Sequence, residues 1–475
     1  MRPFVTLAVA ASVAAAAPLA AQSADKLSPE VRQFVSVDSP VVALTHARVI
    51  DGTGAPAREN QTIVIESGVI RAVGDSASVA VPAGAKVLDL TGRSVIPGLV
   101  MVHEHMFYPS GAGAIYNEQG YSFPRLYLAG GATTIRTAGN MAGYADLELK
   151  KAIDAGRVPG PAMDVTAPYL EGPGLPIIQV HALTGPDDAR QTVAYWADRG
   201  ATSFKAYMHI TRAELAAAIA EAHRRGLKVT GHLCSVSFRE AAALGIDDLE
   251  HGLVVASDFV ADKKPDECPA AGVTGSLAGV DSARTAPLIR DLVAKHVALT
   301  STLTVFETFT PGRPAASPAA LDAMLPEARD QYLRRRLAIA TQANSPWATL
   351  FTQEMQFERD FFRAGGLLIS GTDPTGYGGV VAGFSNQREL ELLVEAGLTP
   401  LEAIRVATLN GAQYLGRADR VGSIAAGKRA DLVVVRGDPS QTIADVEHVE
   451  TVFKDGVGYD SAKLVASVRG QVGLH

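Results

Sequence analysis

Eight short apolar segments alternate with amphipathic, helix-like segments over the middle of this 475-residue chain. Each apolar segment has the length of a buried strand, and the segments between them repeat apolar residues with helical spacing. Strands that alternate with helices form parallel βα units, so we expect an α/β fold, and eight such units are typical of a TIM (β/α)8 barrel. The eight predicted strands span residues 96–105, 133–137, 163–168, 203–207, 228–233, 248–253, 298–305 and 367–371.

Both flanks of this middle region resemble short β-strands separated by turns. Residues 41–90 contain four strand-like runs bounded by Gly, Pro, Asp and Ser, and residues 430–435 and 449–454 are two more. We therefore expect a barrel over residues 97–414 that is inserted into a small β-sandwich domain built from residues 40–96 and 415–470. A segment at 257–279, rich in Asp, Lys, Pro and Gly, predicts an inserted lid loop.

Residues 1–22 have the pattern of an export signal peptide. Arg2 is followed by an Ala-, Val- and Leu-rich run that ends at small residues, and this run is shorter than a membrane span. The sequence therefore predicts a periplasmic or secreted protein. Its formal net charge of −7 argues against nucleic-acid and anionic-membrane partners, so a small molecule is the expected partner. The oligomeric state stays open, a homo-oligomer included.

Residue types that bind metals occur at or near the carboxyl ends of five predicted strands, in the order His-x-His, Lys, His, His, Asp. Side chains two residues apart in a strand project from one face, and barrel active sites lie at these strand ends. Each residue alone has an ordinary explanation: a solvated lysine, a hydrogen-bonded core histidine, an aspartate in a turn. The ordered set is harder to obtain by coincidence. It predicts a metal site formed by His103, His105, Lys205, His232, His251 and Asp373.

Four motifs resemble those of the metal-dependent amidohydrolase superfamily, and within it the exported imidazolonepropionase-like and Xaa-Pro dipeptidase-like members. They are GRSVIPGL at 92–99, which leads to the His-x-His pair, GTD at 371–373, ATLNGA at 407–412 and GSIAAGKRADLV at 422–433. Two positions depart from the family pattern, because Met101 and Thr137 stand where that family usually has aspartate. Neither departure removes one of the six residues of the predicted metal site.

The resemblance implies a centre of two divalent ions. Imidazole and carboxylate ligands favour Zn²⁺, although Mn, Co or Fe would also fit. His103, His105 and Asp373 would bind one ion, and His232 and His251 would bind the other. Lys205 would bridge both after carboxylation by carbon dioxide, because a lysine ammonium repels metal ions whereas its carbamate is an anionic oxygen ligand.

Such a centre implies hydrolysis of a small amide, namely a dipeptide such as Xaa-Pro or an N-acyl amino acid. Water held by the ions would lose a proton near neutral pH and attack the carbonyl carbon. Asp373 would accept that proton as general base and pass it to the leaving nitrogen as general acid. Two alternatives stay open. The same site could act on a lactone, a cyclic imide or an organophosphate ester, or the chain could be a non-catalytic scaffold or binding protein that retains the fold.

Three further residues are candidates for substrate binding. Tyr207 follows Lys205 with strand spacing and can present its phenol to the site, Arg136 stands near the end of the second predicted strand, and His181 precedes a Gly-Pro turn. The chain also has two cysteines, Cys234 just past the fifth strand and Cys268 in the lid segment. An oxidising compartment would let them pair, so we predict a disulfide that fixes the lid.

Overall fold

The computed structural model describes residues 26–110, 115–175, 177, 179–270 and 272–473. The predicted export signal at 1–22 lies outside these residues and stays a prediction. Among the helices in the described ranges, none combines the length and the apolar character that crossing a membrane requires.

Eight parallel strands, buried along nearly their whole length, form the centre of the molecule. They belong to two sheets, one of three strands and one of five, and every pairing within these sheets is parallel. All eight predicted strands are present, so the α/β prediction is confirmed. In chain order they are Leu99–Glu104, Ala132–Thr137, Ala162–Asp164, Ser203–Ala206, Lys228–Gly231, Asp248–Glu250, Ala298–Ser301 and Leu368–Ser370.

Two of these strands end four residues earlier than predicted. The strand predicted at 298–305 ends at Ser301 because the helix Leu303–Glu307 follows it. A distant carboxylate stabilises the start of that helix, since Glu389 accepts hydrogen bonds from the backbone N–H groups of Leu303 and Thr304 at 3.2 and 2.9 Å. The strand predicted at 163–168 ends at Asp164, beyond which only isolated bridges continue the pairing.

Helices connect the strands and share apolar clusters with them. Capping boxes begin three helices at a Ser or Thr, where Thr211, Ser237 and Thr399 accept hydrogen bonds from the N–H groups of Glu214, Glu240 and Glu402. The helices predicted at 144–155, 187–198, 212–224 and 282–295 are present, with ends that differ by at most one residue. The α-helices of the described residues are Pro29–Arg32, Ser122–Ala129, Tyr144–Asp154, Pro186–Ala197, Arg212–Arg224, Phe238–Leu244, Ser282–Ala294, Leu303–Glu307, Pro318–Ala323, Pro326–Ala340, Trp347–Arg363, Phe384–Glu395, Pro400–Arg405, Gly411–Tyr414 and Ser461–Ala466.

A nine-stranded mixed sheet is built from both ends of the described chain. The strand Leu432–Arg436 pairs antiparallel with Arg93–Pro97, so the chain leaves the central strands beside the point at which it enters them. The prediction of two packed sandwich layers stays a prediction, as do the domain boundaries. The strands of this sheet are Val35–Val37, Val41–Val49, Arg58–Glu66, Val69–Asp75, Lys86–Asp89, Arg93–Pro97, Leu432–Arg436, Val449–Lys454 and Val457–Asp460, and a separate hairpin joins Phe107–Ser110 to Ile115–Glu118.

The segment predicted as a lid contains two short 3₁₀ turns, Ser257–Phe259 and Thr274–Leu277. A disulfide joins Cys268 of this segment to Cys234, with a Cα–Cα distance of 4.9 Å. Cys234 lies three residues beyond the strand Lys228–Gly231. The segment is therefore covalently attached next to the carboxyl end of a central strand.

Candidate metal centre

The carboxyl ends of the central strands bring the six predicted metal-site residues together. His103 and Lys205 lie within strands, His105, His232 and His251 each follow a strand directly, and Asp373 lies three residues beyond Ser370. Every one of these side chains except His103 lines a single cavity of about 120 Å³. His103 lies fully buried, with its Nε2 3.3 Å from the Nζ of Lys205.

Asp373 is the carboxylate around which three imidazoles gather. Its Oδ1 lies 3.3 Å from His105 Nε2 and 3.8 Å from His103 Nε2, and its Oδ2 lies 3.8 Å from His251 Nδ1. His103, His251 and Asp373 each offer one potential ligand atom, and these three atoms all lie within 4.8 Å of one another. The ring of His232 joins the cluster with its centroid 4.5 Å from that of His251.

Two residues of this cluster have a backbone conformation that L-residues rarely adopt. The φ angles of His251 and Asp373 are 70° and 52°. Non-glycine residues persist in this left-handed region only where the surroundings hold them there, and such residues concentrate at functional sites. At Asp373 the holding contacts are backbone hydrogen bonds, since the N–H groups of Thr372 and Asp373 donate to the carbonyl of His103 at 3.0 and 3.2 Å.

Burial keeps the imidazoles neutral. Loss of solvent lowers the pKa of His103 and of His232 well below the ordinary value, and it lowers the pKa of His251 to about 4. Burial also lowers the pKa of His105, although Asp373 partly opposes this effect. Burial alone would raise the pKa of Asp373, but the hydrogen bond with His105 and the nearby charge of Lys205 hold it below its usual range. The cluster thus offers neutral imidazoles and a carboxylate, the protonation states that metal ions require.

The hydrogen bonds of the cluster fit a metal site. The Nε2 atom of His251 is buried and has no hydrogen-bond partner, although its Nδ1 lies 2.9 Å from Thr302 Oγ1. Nδ1 of His105 donates to the carbonyl of Gly139 at 2.9 Å, which leaves a lone pair on Nε2, the atom that faces Asp373. Imidazole ligands of metals are commonly oriented in this way, through a bond made by their other nitrogen.

Glu250 is a residue of the centre that sequence reasoning missed. Its Oε2 lies 2.6 Å from Lys205 Nζ and 3.3 Å from His103 Nδ1. Its Oε1 accepts a hydrogen bond from Thr230 Oγ1 at 2.6 Å and lies 3.3 Å from the guanidinium of Arg136. Alternation in Asp248-Leu249-Glu250 places charged residues on one face of a buried strand, and this pattern was the available signal.

The prediction that Arg136 binds substrate is wrong. Its side chain is completely buried below the cavity, and it does not line the cavity wall. The guanidinium donates hydrogen bonds to Val102 O, Ser203 Oγ and Thr230 Oγ1 at 2.6, 3.1 and 2.7 Å, in addition to its contact with Glu250. These partners come from four other central strands, and they hold the side chain in the interior and away from any substrate.

The other two predicted substrate contacts differ from each other. Tyr207 lines the cavity, with its ring centroid 4.8 Å from that of His232 and 5.7 Å from Lys205 Nζ. Burial raises its pKa, so the phenol stays protonated and can donate. His181 is exposed and lies 3.0 Å from Asp188 Oδ2, outside the set of residues that line the cavity. We therefore withdraw His181 as a substrate contact, because its partner holds it in a surface loop.

Comparison with known proteins gives the chain relatives over most of its length. The model of the amidohydrolase family matches residues 94–458. The imidazolonepropionase of Deinococcus radiodurans is 26% identical over 433 residues, which cover 81% of this chain and 88% of that protein. The imidazolonepropionase of Geobacillus kaustophilus is 46% identical over 63 residues, but this match spans only 13% of this chain and 15% of that protein. Among solved structures, a Bifidobacterium longum protein assigned as a prolidase superposes with a TM-score of 0.66 at 26% identity, covering 90% of this chain and 98% of the other.

Proposed function

We propose that this chain, which belongs to the amidohydrolase family, hydrolyses a small amide with the help of bound divalent metal ions. The substrate class is a dipeptide such as Xaa-Pro or an N-acyl amino acid. One observation carries the proposal: neutral, buried imidazoles surround the Asp373 carboxylate at a cavity, and the Nε2 atom of His251 has no hydrogen-bond partner. The match over most of its length to a hydrolase of a carbon–nitrogen bond, the Deinococcus relative, supports the same reaction type.

The residues of the cluster fit the two-ion arrangement that the family motifs imply. His103, His105 and Asp373 would hold one ion, and His232 and His251 would hold the other. When bound, such ions (Zn²⁺ suits these ligands) supply an activated water and polarise the substrate carbonyl. The neutral state of the four imidazoles supports this assignment, because a protonated imidazole cannot bind a metal.

Lys205 would bridge the ions as a carbamate. The ammonium would first lose one proton, and the neutral amine would then attack carbon dioxide, form a new N–C bond and release a second proton. The product is an anionic oxygen ligand in place of a cation. The position of Nζ, beside His103 and at the edge of the cavity, supports this role. Glu250, at 2.6 Å from Nζ, balances the positive charge of the unmodified lysine.

Asp373 would move the proton. Its carboxylate is anionic over the neutral pH range, and it lines the cavity. It would accept a proton from the attacking water and donate it to the leaving nitrogen, which completes general base and general acid catalysis by one group. The protonated phenol of Tyr207 would donate to the carbonyl oxygen as negative charge develops on it.

We also propose the finer architecture and the location of the protein. Hydrogen bonds at both seams between the two parallel sheets support a closed eight-stranded barrel: Thr202 N–H donates to Val165 O, and Thr372 N–H donates to His103 O. Ile70 and Phe453 come from distant strands of the nine-stranded sheet yet share one apolar cluster, which supports a two-layered sandwich. The disulfide between Cys234 and Cys268 supports export to an oxidising compartment such as the periplasm.

A substrate panel tests the proposed function. Metal-loaded protein would be assayed with dipeptides, N-acyl amino acids, simple neutral amides, lactones, cyclic imides and phosphotriesters. We expect turnover of at least one amide class, and removal of the metal by a chelator should abolish it. Turnover restricted to lactones or phosphotriesters would contradict the amidase assignment. Absence of turnover of every compound would favour the scaffold alternative.

A further inference from the structure

Aromatic rings form two walls of the cavity at the metal centre. Four of them lie on the side of His105 and Lys205, and two lie on the side of His251. Within the first wall the ring centroids of Tyr169 and Tyr207 are 4.7 Å apart, and within the second those of Phe306 and Phe309 are 6.1 Å apart. The first wall consists of Phe107, Tyr116, Tyr169 and Tyr207, and the second consists of Phe306 and Phe309.

Both walls are held in place by packing behind them. Phe306 stacks on Trp347 at 5.8 Å with an interplanar angle of 16°, and Phe309 contacts the same indole at 4.9 Å. On the other side, Gly139 adopts a φ of 93°, and a Cβ atom added there would lie 2.5 Å from the ring of Tyr169. The cavity is thus a preformed slot between rings that have little freedom to move apart.

Away from the proposed metal centre, the described residues that line the slot offer no cation for a substrate carboxylate. Apart from the proposed metal ligands, the only ionisable side chains among the described residues that line it are phenols. Tyr116, Tyr169 and Tyr207 carry no positive charge in either protonation state, so they cannot form an ion pair with a carboxylate. The remaining lining side chains are Met141, Ile177, Val305 and Thr375. A carboxylate placed between these walls would lose hydration without gaining an ion pair.

The size of the slot limits the substrate further. A dry cavity of about 150 Å³ in another protein takes up a benzene ring, and the slot has about 120 Å³. It therefore has room for one flat ring or one short side chain beside the scissile carbonyl. A second bulky substituent would extend beyond this volume.

We infer that the site selects amides in which the group next to the scissile bond is a single small, uncharged ring, as in an anilide or an amide of a cyclic amine. This inference rests on the proposed amide hydrolysis but replaces the dipeptide and N-acyl amino acid substrates proposed above with neutral amides, because a substrate with a free carboxylate at that ring should be disfavoured. The aromatic walls then determine specificity, whereas the metal ligands determine the reaction.

Matched neutral and charged substrates test the inference on the metal-loaded, full-length protein. N-acetylpyrrolidine and N-acetyl-L-proline share the scissile bond and the ring, and they differ by one carboxylate. We expect kcat/KM to be at least about tenfold higher for the neutral compound, since burial of an unpaired charge is costly, and we expect acetanilide to be hydrolysed. Equal or faster hydrolysis of N-acetyl-L-proline would overturn the inference and leave the proposed function standing. Hydrolysis of other amides but not of acetanilide or N-acetylpyrrolidine would likewise overturn the inference and leave the proposed function standing. If no amide is hydrolysed, the proposed function itself fails.

A variant of the second wall gives an independent readout. Phe309→Arg places a cation in the slot, and it should shift the preference toward N-acetyl-L-proline by about tenfold or more. Tyr195→Phe, at an exposed tyrosine that contacts Tyr144 and Arg199 outside the slot, is the control and should leave the ratio unchanged. An unchanged ratio in a folded Phe309→Arg protein would overturn the role of this wall. Should that variant fail to fold, the substrate pair decides on the unaltered protein.

Discussion

Two polar layers lie one above the other at the centre of this molecule, and they differ in how completely their groups are paired. The upper layer, at the strand ends, contains the imidazoles and Asp373, and one of its buried atoms, His251 Nε2, has no hydrogen-bond partner. The lower layer is centred on Arg136, whose guanidinium reaches acceptors on Val102, Ser203 and Thr230 and a carboxylate on Glu250.

The difference separates a scaffold from a binding site. Buried polar groups are nearly always paired in folded proteins, because an unpaired group retains its full cost of desolvation. Complete pairing of the Arg136 guanidinium therefore indicates a structural role, whereas the unpaired Nε2 of His251 at the cavity is available to a metal. Glu250 joins the layers, since one of its oxygens contacts Arg136 and Thr230 while the other faces Lys205 and His103.

The largest expected effect comes from the upper layer. Asp373→Asn removes the carboxylate that gathers three histidines and would carry the proton, so kcat should fall by about 10³-fold or more. Because the substitution preserves shape, the thermal unfolding midpoint of the metal-free protein should change little. Steady-state assays and thermal melts of the same preparations measure both quantities. Full activity in a folded Asp373→Asn protein would contradict the assignment of the upper layer.

The opposite pattern is expected in the lower layer. Arg136→Met should lower the free energy of unfolding by about 3–5 kcal/mol, because it leaves the buried Glu250 carboxylate without one of its compensating charges. Urea denaturation measures this loss. The double variant Arg136→Met/Glu250→Gln should recover part of the stability, since it also removes the buried charge. If Arg136→Met were as stable as the parent protein but unable to bind substrate, Arg136 would belong to the site after all.

Glu250→Gln tests the connection between the layers. The amide keeps the shape but lacks the charge that faces Lys205 and His103, so metal affinity should fall by about 10–100-fold, as for other groups that orient metal ligands. Competition with a chromogenic chelator measures this affinity independently of activity. An unchanged metal affinity would show that Glu250 serves only the lower layer.

The smallest expected effect concerns pH. A proton competes with the metal for a histidine only at pH values below the pKa of that histidine in the metal-free protein. Burial lowers the pKa of all four histidines, and it lowers the pKa of His251 to about 4. His251 should therefore stay neutral between pH 7 and pH 5.5, so its protonation should change metal affinity by less than about twofold over this range and weaken it nearer pH 4. Titrations with metal at fixed pH values check this. A steep loss of affinity that begins near pH 6.5 would indicate solvated histidines.

The upper layer could be predicted from the sequence because its signals are local. Strand alternation places His103 and His105 on one face, and the apolar runs before His232 and His251 mark strand ends. The lower layer could not be predicted in the same way. A strand position shows that Arg136 points inward, but only the partner Glu250, 114 residues away, shows that its long side chain stays below the cavity.

The aromatic second wall was missed for a similar, non-local reason. Residues 298–305 read as one continuous strand, which gives no indication of where Phe306 and Phe309 would point. In the structure the strand stops at Ser301, and a short helix capped by the distant Glu389 turns Phe306 toward the cavity. The local apolar pattern predicts the strand that begins at residue 298, but it does not show that a contact with Glu389 starts a helix at Leu303 and so ends the strand.

The central claim is that the unpaired groups of the upper layer bind divalent metal for amide hydrolysis, and metal content tests it most directly. Elemental analysis of the full-length protein, before and after chelation, would accompany an amide assay of the same samples. The account predicts one to two divalent ions per chain, loss of hydrolysis on chelation, and recovery when Zn²⁺ is added back. Amide hydrolysis that proceeds undiminished in metal-free protein would contradict it.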